Sequence, residues 1–410
     1  MSRLIHMLLR AGLLVSAKAE DVWELPPLRY SETLPSVKIA AVAADDSFAK
    51  LSQVARVSWV LKSLAIPEES QILVFSKTSK QHDLISPRTP RALYFSANAY
   101  AGYVPGGMLE VIMQDPLLGP VFYVMDLQDP IAPGAIQRAT SDCLSCHGNP
   151  QGYEFPGMKV RSVFPDRNGR PLLSLGSTQV DATTPLAVRW GGYYVSGRSS
   201  LPHLGNRLYR EEEGRLAAET TEFSALAGEI EIHRYPRQTS DIVALMLLEH
   251  QCDVHNSINE AAMRYRRNCW LSRSLKPPAD PDTGTAGRLA DEDAAKMVDC
   301  LLFKNEAAMG DGVEGEEAFQ EAFAQQYPRT KAGNSLADFH LGRHLFKNRC
   351  SYMIYSSAFT QLPERVKSSV LKLLRTRLEG PARAEDAYLQ EPEKKRIAAI
   401  LRETVPGYAE

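Results

Sequence analysis

Apolar residues recur along this chain at two different periods, and the change between them divides it. From 91 to 127 the text reads Ala92-Leu93-Tyr94-Phe95, Ala99-Tyr100-Ala101-Gly102-Tyr103-Val104, Leu109-Glu110-Val111-Ile112-Met113 and Val121-Phe122-Tyr123-Val124-Met125. Short aromatic and β-branched runs, broken by Pro105-Gly106-Gly107 and Asp115-Pro116, predict four strands in an antiparallel meander. Upstream, Phe48, Leu51, Val54, Val57, Leu61 and Leu64 recur at helical spacing, so one amphipathic helix is expected over 45–64, with a buried strand at 71–75 after Pro67. Trp23 to Pro35 is proline-rich and reads as an extended arm. Ser76-Lys77-Thr78-Ser79 follows a strand but lacks the glycines of a phosphate cradle, and is a polar loop.

Further on, 160–164 and 171–176 flank Asp166-Arg167-Asn168-Gly169-Arg170, which predicts a hairpin with Asn-Gly at its tip. The period lengthens at Ser240. Residues 242–267 run without proline or glycine, and further helices are expected over 290–302, 316–326, 335–346, 355–359, 364–379 and 392–403. A Pro/Asp/Gly/Thr linker occupies 276–287. The expected class is α+β: an N-terminal α/β domain with the meander (20–135), a central β-rich region (136–239) and a helical C-terminal domain (240–410).

With 410 residues, 44% hydrophobic and 23% charged, the chain has ample material for a core in each part. No apolar run reaches the roughly eighteen residues of a membrane span. Arg3, His6 and Arg10 accompany the apolar stretch 7–17, which ends in Ala17-Lys18-Ala19, the form of a signal peptide over 1–19 cut before Glu20. Because Arg10 interrupts the apolar core, the alternative is an amphipathic first helix of a cytoplasmic protein. Cleavage would remove Arg3, Arg10 and Lys18 and no acidic residue, leaving a chain more acidic than its formal −2. Nothing in that balance points to nucleic acid.

The chemistry concentrates at Cys143-Leu144-Ser145-Cys146-His147, followed by Gly148. This is the spacing at which two thiols add across haem vinyl groups and the adjacent imidazole binds iron from the proximal side. A structural thiol pair or a redox C-x-x-C would tolerate any residue at 147, and a zinc site would need a second close pair of ligands. The nearest other cysteine is Cys252. The expectation is one covalent haem c with its iron, Cys143 and Cys146 as attachment points and His147 as proximal ligand. The Gly- and Pro-containing loop 148–157 would let backbone pass close to a porphyrin edge. The aromatics of the meander and of Arg189-Trp190-Gly191-Gly192-Tyr193-Tyr194 are core or pocket wall.

For the distal side the candidates are His203, in Pro202-His203-Leu204-Gly205-Asn206, then Met158, then His250, or an open position. His250 and His255 lie about 140° apart on a helix and cannot share one ion. His340 and His344 would share a helix face, but with Arg343 between them and no glutamate they read as part of a solvated face. Cys252, Cys269, Cys300 and Cys350 allow up to two disulfides in an oxidising compartment.

Beyond the motif, the chain resembles an uncharacterised family of exported bacterial cytochrome c domain-containing proteins with a single C-x-x-C-H haem site. The matching pieces are 73–79, 90–95, Cys143 to His147, 161–166, 189–192, 202–206, 240–246, His250-Gln251 and 350–356, which together span nearly the whole chain after the leader. Cys252, Cys269 and Cys300 depart from that family's pattern. The resemblance implies haem and export, hence a periplasmic protein, without assigning a reaction. Two uses remain open: electron transfer or a haem-dependent redox step with a partner protein, and a haem-based gas or redox sensor with an open or displaceable sixth position. A two-haem peroxidase is excluded by the single C-x-x-C-H.

Overall fold

The computed structural model describes residues 21–37, 39, 46–129, 136–150, 152–212, 215–220, 230–275 and 284–409. The expected leader and most of the 276–287 linker lie outside them. The chain is α+β. Its sheet has six strands in sequence order: β1 (Ile72–Val74), β2 (Arg91–Ser96), β3 (Ala99–Tyr103), β4 (Leu109–Asp115), β5 (Gly119–Met125) and β6 (Ile136–Ala139). The four expected strands are β2 to β5, extended by one strand on each side.

Since side chains alternate along a strand, the register sorts the sheet into two faces. Tyr100 opposes Ile112, which opposes Phe122, while Ala101, Val111 and Tyr123 align on the other side. That second face, with Leu73, Tyr94, Tyr103 and Val121, packs against Val57, Val60 and Leu61 of α2 (Gln53–Ser63). The helix expected over 45–64 is broken, because the Ser52 hydroxyl accepts the Ala55 N–H and starts α2 anew after the short α1 (Asp46–Ala49). Trp23, Leu28 and Tyr30 of the arm are also buried there, so the arm folds as turns instead of extending. Arg138 of β6 holds it, donating to the Tyr30 and Thr33 carbonyls at 2.8 Å.

The first face meets the helical half. After the motif helix α3 (Ser141–His147) come α4 (Ile242–Leu275), α5 (Thr285–Leu301), α6 (Glu317–Ala324), α7 (Ser357–Thr360), α8 (Glu364–Glu379) and α9 (Glu391–Thr404). One apolar cluster joins Ile72, Val74, Phe95 and Tyr100 to α4, α5, α8 and α9. Polar bonds fix α4 to the sheet: Tyr100 Oη lies 2.6 Å from His255 Nδ1, and Gln251 Nε2 donates to the Ser96 carbonyl at 2.8 Å. Among the described residues no helix is long and apolar enough to cross a membrane.

Two expected elements differ. The hairpin strand β7 (Arg161–Val163) pairs with β8 (Ser177–Gln179), not with 171–176. Pro165 and Pro171 stand opposite each other below the Asn-Gly turn, flanked by bonds from the Asp166 N–H to the Arg170 carbonyl and from the Leu172 N–H to the Phe164 carbonyl, both 2.8 Å, and a 3-10 turn over Leu173–Leu175 then displaces the second strand to 177–179. The segment 335–346 forms no helix. Asp338 accepts the Ser335 N–H at 2.9 Å, Leu341 has φ +56°, and Phe339 bridges back to Phe346. His340 and His344 therefore share a tight turn and not a helix face, with His344 Nδ1 3.0 Å from the Glu306 carboxylate.

Candidate haem-attachment site

The motif forms the seven-residue helix α3, so Cys143, Cys146 and His147, at i, i+3 and i+4, lie on one face. β6 delivers the chain to this helix, and Trp23 seats it. The indole packs so closely on Gly148 that a Cβ there would lie 2.7 Å from its ring. Glycine after the histidine is thus required by packing.

His147 is half-buried, and its orientation is fixed from both ends of the following loop. The Gly157 N–H donates to the His147 carbonyl at 2.9 Å, and His147 Nδ1 lies 2.9 Å from the Gly157 carbonyl. A carbonyl only accepts, so Nδ1 carries the proton and the lone pair is on Nε2. Among the described residues Nε2 has no hydrogen bond. Metal-binding histidines are typically oriented in this way, by a second-shell acceptor on the other nitrogen. Burial also lowers the imidazole pKa, favouring the neutral form that a ligand requires.

Gly157 is itself held by α4. The Asn256 side chain accepts the Met158 N–H at 2.6 Å and donates to the Met158 carbonyl at 3.0 Å. Asn256 was not singled out in the sequence, where an asparagine in a long helix carries no sign of a partner 98 residues away.

Phe122 of β5 packs on His147 with ring centroids 5.1 Å apart. On the same sheet face Leu93, Ile112 and Val124 remain half-exposed although they sit within the sheet, whereas Val111, Val121 and Met125 on the opposite face are buried. Leu93 and Ile112 pack against the apolar cluster of the helical half, and Phe122 is buried. Arg91 lies across Gly102, where a Cβ would meet its guanidinium at 2.5 Å, and pairs with Glu110. Cys146 is exposed and Cys143 half-buried, both as free thiols. Burial, reinforced by the Glu110 and Asp142 charges, pushes the Cys143 thiol up to about 11. Two free thiols and a pre-oriented imidazole on one helix face fit a covalently attached haem. Such a group would supply a redox-active iron.

The distal candidates lie elsewhere. His203 packs edge-on to Trp190 at 5.0 Å and accepts the Gly205 N–H. Its segment joins the Tyr193 carbonyl through the Asn206 N–H, and Tyr193 bridges to Val74 beyond β1, five strand steps from β5. At about 4.8 Å per step, that is roughly 24 Å along the sheet. Met158 is buried, one residue beyond the Gly157 carbonyl that meets His147. With Val160, Tyr153, Asp253, Cys252 and Cys300 it lines a separate cleft of about 490 Å³. His250 is deep in the helical core, stacked on Phe303 at 4.0 Å and bonded through Nε2 to Ser351.

The aromatic-glycine run is core. Gly191 is pressed against the Val163 carbonyl, which a Cβ would approach to 2.1 Å, and Trp190 Nε1 donates to Glu249 at 2.7 Å. Arg189 completes this buried joint with α4 by pairing with Glu249 at 2.6 Å. Among the described residues no disulfide joins Cys252, Cys269, Cys300 and Cys350, so the pairing expected from the sequence is not formed. Cys300 lies 3.2 Å from the Asp253 carboxylate.

No family model, curated protein or solved structure matches this chain. The functional reading therefore rests on the site itself.

Proposed function

We propose that this chain is an exported c-type haem protein, with one haem attached to Cys143 and Cys146, His147 as proximal ligand, and a sixth position free to take an external ligand. Of the two uses open from the sequence, this favours the gas or redox sensor. The observation that carries the attachment is the Nδ1–H bond from His147 to the Gly157 carbonyl, which reserves Nε2 for a metal. What favours an open sixth position is the placement of His203, Met158 and His250 in contacts of their own, away from His147.

In this reading the chain's residues divide the work. Gly157 and Asn256 orient the imidazole, Phe122 packs against it, and Trp23 and Gly148 seat the helix. A second reading, electron transfer to a partner protein, is favoured by the exposure of Cys146, which brings one attachment point to the surface.

The test is to express the full chain in a host with a haem-attachment system and extract it with acidified solvent. Haem should stay with the polypeptide, and the reduced protein should bind carbon monoxide readily. Loss of all colour to the solvent would refute the attachment. A reduced spectrum indifferent to carbon monoxide would replace the open site with an internal ligand and leave electron transfer as the use.

A further inference from the structure

The 490 Å³ cleft beside Met158 has the volume of a small-molecule site. Two helices build it. Asp253, Asn256 and Glu260 follow one another at i, i+3 and i+7 on α4, and Asp293, Lys296 and Cys300 do so on α5, so each helix turns one face to the same space. Asp181, from the segment after β8, adds a further carboxylate, and the buried Met158, Val160 and Val180 supply an apolar wall.

Five carboxylates line the cleft against two ammonium groups. Two of the five are answered by basic residues: Asp299 by Lys304 at 2.9 Å and by Arg377, and Asp293 Oδ1 by Arg264 at 2.9 Å. The other three accept only from neutral donors among the described residues. Asp253 takes the Tyr153 hydroxyl at 3.0 Å and the Cys300 thiol at 3.2 Å, Asp181 takes the Thr183 and Thr184 hydroxyls, and Glu260 takes the Glu154 N–H at 3.0 Å. Burial raises the carboxyl pKa of Asp253 and of Glu260, as expected where no ion pair offsets desolvation. Asp293 gives a separate sign of a missing partner. Its side chain is 4% exposed, and its Oδ2 has no hydrogen bond. A buried carboxylate oxygen without a donor is unfavourable, and an N–H brought in through the cleft supplies one.

The cation that suits this lining is extended. Asp253 and Glu260 stand two turns apart, about 10 Å along the axis of α4. The Asp253–Cys300 and Arg264–Asp293 contacts set α4 and α5 antiparallel, so Asp293 stands at the Glu260 end. Among the described residues no three carboxylate, thiol or imidazole groups come together to hold one metal ion. An ammonium at each end of a short methylene chain meets separate carboxylates while the chain itself covers the apolar wall. We propose that the cleft binds a linear aliphatic diamine, one ammonium on Asp253 and the other on Glu260 and Asp293. This goes beyond the haem reading and does not rest on it.

Calorimetric titration of the purified full chain tests this, with putrescine, butylamine and magnesium chloride as probes. Putrescine and butylamine share a four-carbon stem and differ by one ammonium. The native chain should bind one putrescine, and butylamine about tenfold or more weakly, since one charge-assisted contact is lost. Asp253→Asn and Glu260→Gln, each checked for folding by circular dichroism, should remove most of the advantage of putrescine over butylamine. Asp83→Asn, at an exposed carboxylate outside the cleft, should keep it. A loss of packing alone would weaken both amines together and leave their ratio standing. No saturable putrescine binding, a ratio near one in the native chain, or a ratio unchanged in the folded variants would overturn the proposal. So would magnesium bound as tightly as putrescine and weakened equally by the variants. Where neither variant folds, the native ratio decides.

Discussion

Asn256 is the residue on which the site's geometry depends most directly, and its contribution can be worked out. It is 5% exposed, and its two bonds to Met158 satisfy a buried N–H and a buried carbonyl in the segment that orients His147. Asn256→Ala leaves both groups without a partner. An unsatisfied buried polar group costs about 1–3 kcal/mol, so the pair places the loss at about 2–6 kcal/mol before relaxation. Asn256 borders the 490 Å³ cleft, and water entering from there can rebond part of what is lost, so about 2–3 kcal/mol is expected. Asn256→Asp separates the two bonds, since a carboxylate still accepts the Met158 N–H but cannot donate to the carbonyl. It should lose about half as much. Urea unfolding followed by far-ultraviolet circular dichroism reads both values. In the haem-loaded protein the iron–histidine stretch should broaden in Asn256→Ala, because the Gly157 carbonyl is one residue from the released bonds. A loss below about 1 kcal/mol with an unaltered stretch would refute the argument that Asn256 holds the imidazole.

Arg189→Met strips the buried Glu249 carboxylate of its ion-pair partner and should cost about 3–5 kcal/mol, whereas Arg189→Met with Glu249→Met should recover much of it, as read by a double-mutant cycle in urea. His250 and His255 have pKa values lowered by burial from 6.5 to about 3. The unfolded chain therefore takes up protons first as pH falls, and the stability these residues contribute is full above pH 6.5 and lost progressively towards pH 3. The slope is up to about 1.4 kcal/mol per pH unit for each histidine, and His250→Leu should remove one share. In the haem-free protein Cys146 should react with a thiol reagent far faster than the buried Cys252, Cys269 and Cys350; equal rates would contradict their burial. His203→Ala should leave the haem spin state unchanged, since that ring packs on Trp190; a change from low to high spin would return His203 to the iron.

The sequence alone determined what depends on short range. The meander was legible strand by strand because a period of two and its Gly and Pro breaks are local, and α8 and α9 were legible from their apolar stripes. The grouping of Cys143, Cys146 and His147 on one helix face was legible because their spacing of i, i+3 and i+4 is local. Tertiary structure decided the rest. Whether 335–346 coils depends on Asp338 turning back on Ser335 and on Leu341 at positive φ, neither of which an apolar period encodes. The hairpin's register followed from the 3-10 turn over Leu173–Leu175, which carries its second strand on to 177–179. Which nitrogen of His147 is free was settled by the Gly157 carbonyl ten residues on, whose neighbour Met158 is held by Asn256, 98 residues further along. Whether His203 stands near His147 depended on where the chain beyond β1 carried it. A hydrophobic pattern states which face a residue turns inward, and only the packed chain states what meets it there.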